Sequence, residues 1–306
     1  MPNATSFRVV NAESDFLSGL IVDKYEDVLV MQVSALGMDK RKSSIVAALK
    51  SVFSPRAILE KSDTGSRKFE GLEESNGLLD GTLDDDVAVK LNGLSFPTNL
   101  KQGHKTGLYL DQQLNYRLVG ALARDAQVLD CFCFLGGFAL HAARAGATRV
   151  LGLDQSAEAV AQAHRNAEEN GAGSTCVFEC TNVFDWLKAQ TASRPHEKVI
   201  PRFDLIILDP PSFTRNRASV PDALRGYKEI HLRALKLLKA GGTLATFCCS
   251  HHVDSFMFEE VVQAAAYDAH KILRRVAAYS QSPDHPVIPA IPETEYLKGF
   301  AYEVAR

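Results

Sequence analysis

The sequence has one tryptophan, four methionines and six cysteines in 306 residues, and its scarcities narrow the field first. The cysteines fall as Cys131-x-Cys133, Cys176-x3-Cys180 and Cys248-Cys249. None has the C-x-x-C spacing of zinc or thioredoxin-like sites, so no metal centre is expected and the thiols read as reduced. No apolar run approaches the ~20 residues that span a bilayer, which argues against a membrane partner. The opening Met1-Pro2-Asn3-Ala4-Thr5 lacks the basic and apolar regions of a secretory signal, which points to the cytoplasm and leaves the Asn3-Ala4-Thr5 sequon without meaning. Excess charge is lacking too: 34 basic against 37 acidic side chains give −3. That excludes a generally basic nucleic-acid coat but leaves room for a local phosphate-contacting patch.

What is present, 46% apolar and 23% charged side chains, describes a folded globular chain, and its length suggests two domains. Before about Leu100 the apolar pattern is short and alternating, with Phe7 to Val10, Gly19 to Val22 and Val28 to Val33 reading as strands. Asp39 to Val52 reads as an amphipathic helix, with Ile45, Val46, Leu49, Val52 and Phe53 at helical spacing. Residues 1–100 are therefore expected to form a small α+β domain. Its tail, Gly71 to Asp86, carries Asn76-Gly77, Asp80-Gly81 and a run of acids, and reads as an exposed connection or hairpin.

Residues 101–306 change to strand-helix alternation, which predicts an α/β domain with a parallel sheet and helices on both faces. Strands are expected at Gln127 to Cys133, Arg149 to Asp154, Thr175 to Glu179, Phe203 to Leu208 and Thr243 to Cys249. Ser156 is placed to cap one helix, and Gly241-Gly242 to close another that runs from Ala223 to Leu238. Ile272 to Tyr279 and Gly299 to Val304 would add edge strands.

Ligands of open parallel sheets settle at the carboxyl ends of the strands, so the residues there carry the chemistry. After the first strand, Phe132 leads to Gly136-Gly137, a turn that either brings backbone close to a ligand or is simply tight. Asp154 closes the second strand, where a carboxylate accepts the ribose hydroxyls of an adenosine group or caps the next helix. Asn182 follows the third, as an adenine contact or a turn residue. The fourth ends in Asp209-Pro210-Pro211-Ser212-Phe213, in which consecutive prolines make a rigid loop and Phe213 offers a face to a base. Arg215, Arg217, Arg225 and Lys228 follow as a basic stretch for phosphates or as a solvated helix face, with Lys101, His104 and Lys105 as an extension.

Together these residues resemble the class I, Rossmann-like S-adenosylmethionine-dependent methyltransferases. Gly103 to Gln112, Asp209 to Phe213, Gly226-Tyr227-Lys228, Thr246 to Ser250, Asp284 to Val287 and Tyr296 to Phe300 are similar to the RlmI-type family of large-subunit ribosomal RNA cytosine-C5 methyltransferases. Members of that family begin with an RNA-binding PUA domain, whereas the resemblance here starts at about Phe7. The resemblance implies S-adenosylmethionine as cofactor, held by Tyr109, Gln112, Phe132, Gly136, Gly137, Asp154, Asn182 and Asp209. It implies ribosomal RNA of the large subunit as partner, contacted by Pro210, Pro211, Ser212, Phe213, Arg215, Arg217 and Lys228. Cys249 takes the place of the family's nucleophile, with Asp209 orienting the base or helping to remove a proton. Cys248 would project to the opposite strand face. His251 and His252 either lower the thiol pKa or are solvated loop residues. Two alternatives stand beside this reading: transfer to another base atom, guanine N7 or an exocyclic amine, and a non-catalytic RNA-binding or assembly module. The sequence leaves the oligomeric state open, with a homodimer as one arrangement.

Overall fold

The structure, a computed structural model, describes residues 4–63, 65–83, 86–101, 107–192, 199–214 and 216–305. The chain divides into two compact units, Met1–Gln113 with Ser282–Glu295, and Leu114–Gln281 with Tyr296–Arg306.

The first unit holds a five-stranded sheet in sequential order: β1 (Ser6–Asn11), β2 (Leu20–Tyr25), β3 (Val28–Val33), β4 (Ala57–Ser62) and β5 (Ser75–Gly81). β3 and β4 are parallel, and the Lys42–Phe53 helix spans the crossover. It packs Leu49, Ile45, Val46 and Phe53 with Leu20, Val22, Leu29, Met31 and Ile58 of the sheet. These positions share one helical face, which is why the segment is helical within a sheet-rich unit. The exposed connection or hairpin expected at Gly71 to Asp86 is corrected: β5 lies inside it, and Asn76 and Gly77 pair with Lys61 and Glu60 instead of turning. An exposed edge strand buries too little to show the alternating pattern of a half-buried one. The hairpin forms instead at Asn92-Gly93, with φ of 51° and 84°, between β6 (Val87–Leu91) and β7 (Leu94–Thr98). The Ser282–Glu295 segment returns to this unit, where Asp284 accepts the Arg8 backbone N–H at 2.9 Å.

The second unit is built on β8 (Gln127–Cys131), β9 (Arg149–Asp154), β10 (Cys176–Cys180), β11 (Phe203–Leu208), β12 (Leu238–Cys248), β13 (Leu273–Ser280) and β14 (Lys298–Val304). They form one sheet in the order β10-β9-β8-β11-β12-β14-β13, whose first five strands are parallel. Helices cover both faces, so Leu205 to Leu208 are 0% exposed and read as an unbroken apolar run. Burying each such side chain contributes about 2 kcal/mol.

Two local expectations are corrected. Gly299 to Val304 is no edge strand, because β14 pairs antiparallel with both β12 and β13 and is almost wholly buried, leaving β13 as the edge. Gly241-Gly242 does not close a helix, because the Val220–Leu237 helix passes straight into β12. The register there jumps from Phe203↔Leu238 to Leu205↔Thr243, and the glycines sit in the extra residues, Gly241 at φ 75°. Among the described residues, no helix is long and apolar enough to cross a membrane.

Candidate active site

From β8 the chain proceeds to β9 and β10 on one side, and β11 and β12 lie on the other. The connections diverge between β8 and β11, which opens a crevice at their carboxyl ends. Asp130, Phe132, Asp154, Asp209 and Cys249 belong to the strand ends around it.

The turn after β8 is wound through the left-handed region, with φ of 64° at Phe132, 47° at Phe134 and 82° at Gly136. Non-glycine residues there cost about 1 kcal/mol or more each, so the surroundings must hold them. Asp154 does so: its Oδ2 accepts the Phe134 N–H at 2.9 Å while Oδ1 accepts the Ser156 N–H at 2.9 Å. Ser156 in turn caps the Ala157–Glu169 helix through the Ala159 N–H. Asp154 thus fixes two strand-end turns, and its carboxylate keeps lone pairs for hydroxyl donors. The two glycines make room for protein rings: a Cβ at Gly137 would lie 2.6 Å from the Tyr116 ring, and one at Gly136 would lie 3.2 Å from Phe178.

Asp130, the residue that sequence reasoning missed, is 0% exposed. Its Oδ2 accepts the Ala139 N–H at 3.0 Å, and its buried Oδ1 has no partner among the described residues. Burial, followed by the negative charges of Asp209 and Asp154, pushes its carboxyl well above the usual range. Burial and the charges of Asp209 and Asp154 thus hold the Asp130 carboxyl toward its neutral form, and the negative field of the two flanking acids favours a cationic ligand. The one available signal was an acid inside the apolar Val128 to Phe134 run.

On the other side, the half-buried Asp209 leads into the Pro-Pro loop, and Cys249 Sγ lies 3.9 Å from the Pro210 carbonyl oxygen. Cys249 is partly accessible, whereas Cys248 is 0% exposed with its sulfur 3.3 Å from the Tyr227 hydroxyl. The other thiols are poor nucleophile candidates. Burial pushes Cys131 and Cys133 well up and Cys176 to about 12, and Cys180 sits on the outer strand β10.

The remaining expected residues divide. Asn182 is exposed and caps the Val183–Thr191 helix, its Oδ1 accepting the Phe184 and Asp185 N–H groups, so only the amide NH2 remains for a ligand. Phe213 packs on Tyr227 with ring centroids 4.6 Å apart and on Phe184 at 5.6 Å, which occupies much of the ring expected to meet a base. Pro211, Ser212 and Arg217 are exposed. Lys228 pairs with Asp268 at 2.8 Å and Arg225 with Asp222. Arg215, His104 and Lys105 lie outside the described residues. Tyr109 and Gln112 belong to the first unit, the former 39% exposed and the latter buried. His251 and His252 are exposed, the former 5.8 Å from the Tyr296 ring. Among the described residues, no group of three His, Cys, Asp or Glu side chains could hold a metal ion.

A model of the S-adenosylmethionine-dependent methyltransferases matches residues 74–293. The chain belongs to this family. Ribosomal RNA large subunit methyltransferase I of Pseudoalteromonas atlantica is 42% identical over 301 residues, covering 98% of this chain and 75% of the relative. Among solved structures, a methyltransferase complexed with SAH superimposes with a TM-score of 0.83 at 23% identity, covering 98% of this chain and 76% of that one. A tRNA m1G37 methyltransferase of M. jannaschii follows at 0.62 and 14%, covering 94% and 76%. At such identities these neighbours show the fold alone.

The methyltransferase's own residues fit its cofactor. S-adenosylmethionine carries an ammonium and a sulfonium, and the orphaned Asp130 Oδ1 beside Asp209 and Asp154 is an acceptor set for such cations. Asp154 retains acceptor capacity for ribose hydroxyls.

Proposed function

We propose that this methyltransferase modifies C5 of a cytosine in large-subunit ribosomal RNA, in the cytoplasm, through a covalent adduct of Cys249 at C6. The observation that carries the reading is a partly accessible thiol at the end of β12, 3.9 Å from the Pro210 carbonyl of the loop that follows β11. The relative named for large-subunit ribosomal RNA supports the substrate class.

C5 of cytosine is a poor nucleophile, and the chemistry of this chain answers that problem. The Cys249 thiolate adds to C6, which places the electron pair at C5. S-adenosylmethionine, when bound, supplies a methyl group on a sulfonium that leaves as a neutral thioether. With the methyl on C5, the C5 proton passes to a base and the C5–C6 double bond re-forms as the thiolate leaves. Asp209 either receives that proton or orients the base amine. The rigid Pro-Pro loop fixes the carbonyl that faces the sulfur, and the target base must leave its stack at a cost of a few kcal/mol. Arg217 is the exposed cation nearest in sequence to this loop among the described residues and suits a phosphate.

Replacing Cys249 by Ala tests the reading. Lost turnover with retained S-adenosylmethionine binding is expected, whereas near-normal activity would assign the methyl group to another base atom. Absence of cofactor binding by the unmodified protein would leave only a binding module.

A further inference from the structure

Four hydroxyl and thiol groups beside Cys249 form a chain whose direction follows from counting protons. A carbonyl oxygen can only accept, so the Ser212 hydroxyl donates to the Thr214 carbonyl at 3.1 Å. With that proton committed, Ser250 Oγ, 2.9 Å from Ser212 Oγ, must be the donor of their pair. By the same reasoning the Tyr227 hydroxyl donates to Ser250 Oγ at 3.1 Å, and the Cys248 thiol donates to the Tyr227 oxygen at 3.3 Å. Burial, then the neighbouring Cys248 thiol, holds the Tyr227 phenol well above its usual pKa, which keeps its proton in place. The chain therefore runs one way, from Cys248 through Tyr227, Ser250 and Ser212 to a backbone carbonyl.

It ties together the ends of two adjacent strands on the same side of the crevice. Ser212 belongs to the loop after β11, and Ser250 directly follows Cys249 after β12. The Ser250 carbonyl is held separately by Lys298 Nζ at 2.7 Å, from a buried side chain opposite Cys248 on β14. Ser250, itself 0% exposed, is thus gripped at both its hydroxyl and its carbonyl. The same arrangement sorts the two adjacent sulfurs: Cys248 spends its proton inside the chain, and Cys249 is left facing the Pro210 carbonyl.

We propose that Ser250 is a positioning residue whose hydroxyl link to Ser212 sets the approach of Cys249 to the Pro-Pro loop. The proposal rests on the assignment of Cys249 as nucleophile.

The test uses the full chain as wild type, Ser250→Ala, Ser212→Ala and the double variant. The probe is large-subunit ribosomal RNA transcribed with 5-fluorocytidine in place of cytidine, which traps the C6 adduct, alongside turnover on unmodified transcript. Each single variant should lose about 10- to 100-fold in kcat and in adduct rate together, the scale of a misplaced reacting group. Affinity for S-adenosylmethionine and Tm should change little, as should KM for RNA in Ser250→Ala, and the double variant should be no worse than either single one, because all remove the same link. Ser212 is exposed, so its variant keeps the test open if Ser250→Ala fails to fold. Undiminished adduct rates in Ser212→Ala, losses that multiply in the double variant, or Tm and cofactor affinity falling in step with kcat would each overturn the proposal. A wild-type protein that forms no adduct, or a Cys249→Ala variant that still turns over, would instead overturn the nucleophile assignment beneath it.

Discussion

Asp130→Asn should make the cofactor-free protein more stable and its cofactor affinity weaker. The asparagine oxygen can keep the bond from the Ala139 N–H, now 3.0 Å from Oδ2, while its NH2 takes the place of the orphaned Oδ1 and faces the charges of Asp209 and Asp154 as a donor. Relieving one buried unsatisfied group is worth about 2 kcal/mol, or roughly 4–8 °C in Tm for a unit of 150–250 residues. In the presence of cofactor the effect reverses. Losing one charge-assisted hydrogen bond of about 2 kcal/mol weakens binding roughly 30-fold. The gain in the free protein also depends on pH. The carboxyl of Asp130 is raised in the folded state, so its favourable contribution is complete below its ordinary value of 3.8 and is lost as pH rises through the higher folded value. The advantage of Asn should therefore be smallest near pH 4 and larger at neutral pH. Calorimetric titration with S-adenosylmethionine and thermal unfolding across that range measure all three effects. An Asn variant that binds the cofactor as tightly as wild type, and melts lower without it, would refute the reasoning.

Two further outcomes follow from the sheet unit. His141 and His231 are both held at about 4, against an ordinary 6.5, chiefly by burial. Their contribution is full above 6.5 and is lost as pH falls toward 4, by up to about 3 kcal/mol each, so urea midpoints should drop across that window and His231→Gln should remove about half of the drop. Gly152→Ala would put a Cβ 2.4 Å from the Phe178 ring and 3.1 Å from the Cys133 sulfur. It should cost about 1–3 kcal/mol in denaturant unfolding, and Phe178→Leu in the same chain should recover part of the loss.

Much of the candidate site's placement is legible in the sequence because parallel strands gather their own ends. Asp154, Asp209 and Cys249 each follow an apolar run, and reading those runs as strands is enough to set the three around one crevice. The sequence cannot reveal which oxygen of a side chain is already engaged. Asn182 reads equally as an adenine contact or a turn residue, and only the structure shows that its carbonyl is used by the helix it opens. Phe213 reads as an exposed ring, yet Tyr227 lies against it. Asp130 escapes because its only local signal is an acid inside an apolar run; the charges that act on it belong to Asp209 and Asp154, 79 and 24 positions on. The placing of β14 between β12 and β13 is hidden for a related reason: a buried antiparallel strand and an edge strand differ in partners, which composition does not record.

That last strand also dictates an order of assembly. During translation β12 can dock on β11 as soon as it emerges, but its other margin stays open until the residues of β14, as far as Val304, have left the ribosome. Lys298, which grips the Ser250 carbonyl, arrives in the same stretch. The nascent protein therefore cannot fix Ser250, next to the proposed nucleophile Cys249, until Lys298 has been made, and on that proposal a nascent chain cut short before Lys298 should be catalytically silent even where most of its sheet has formed.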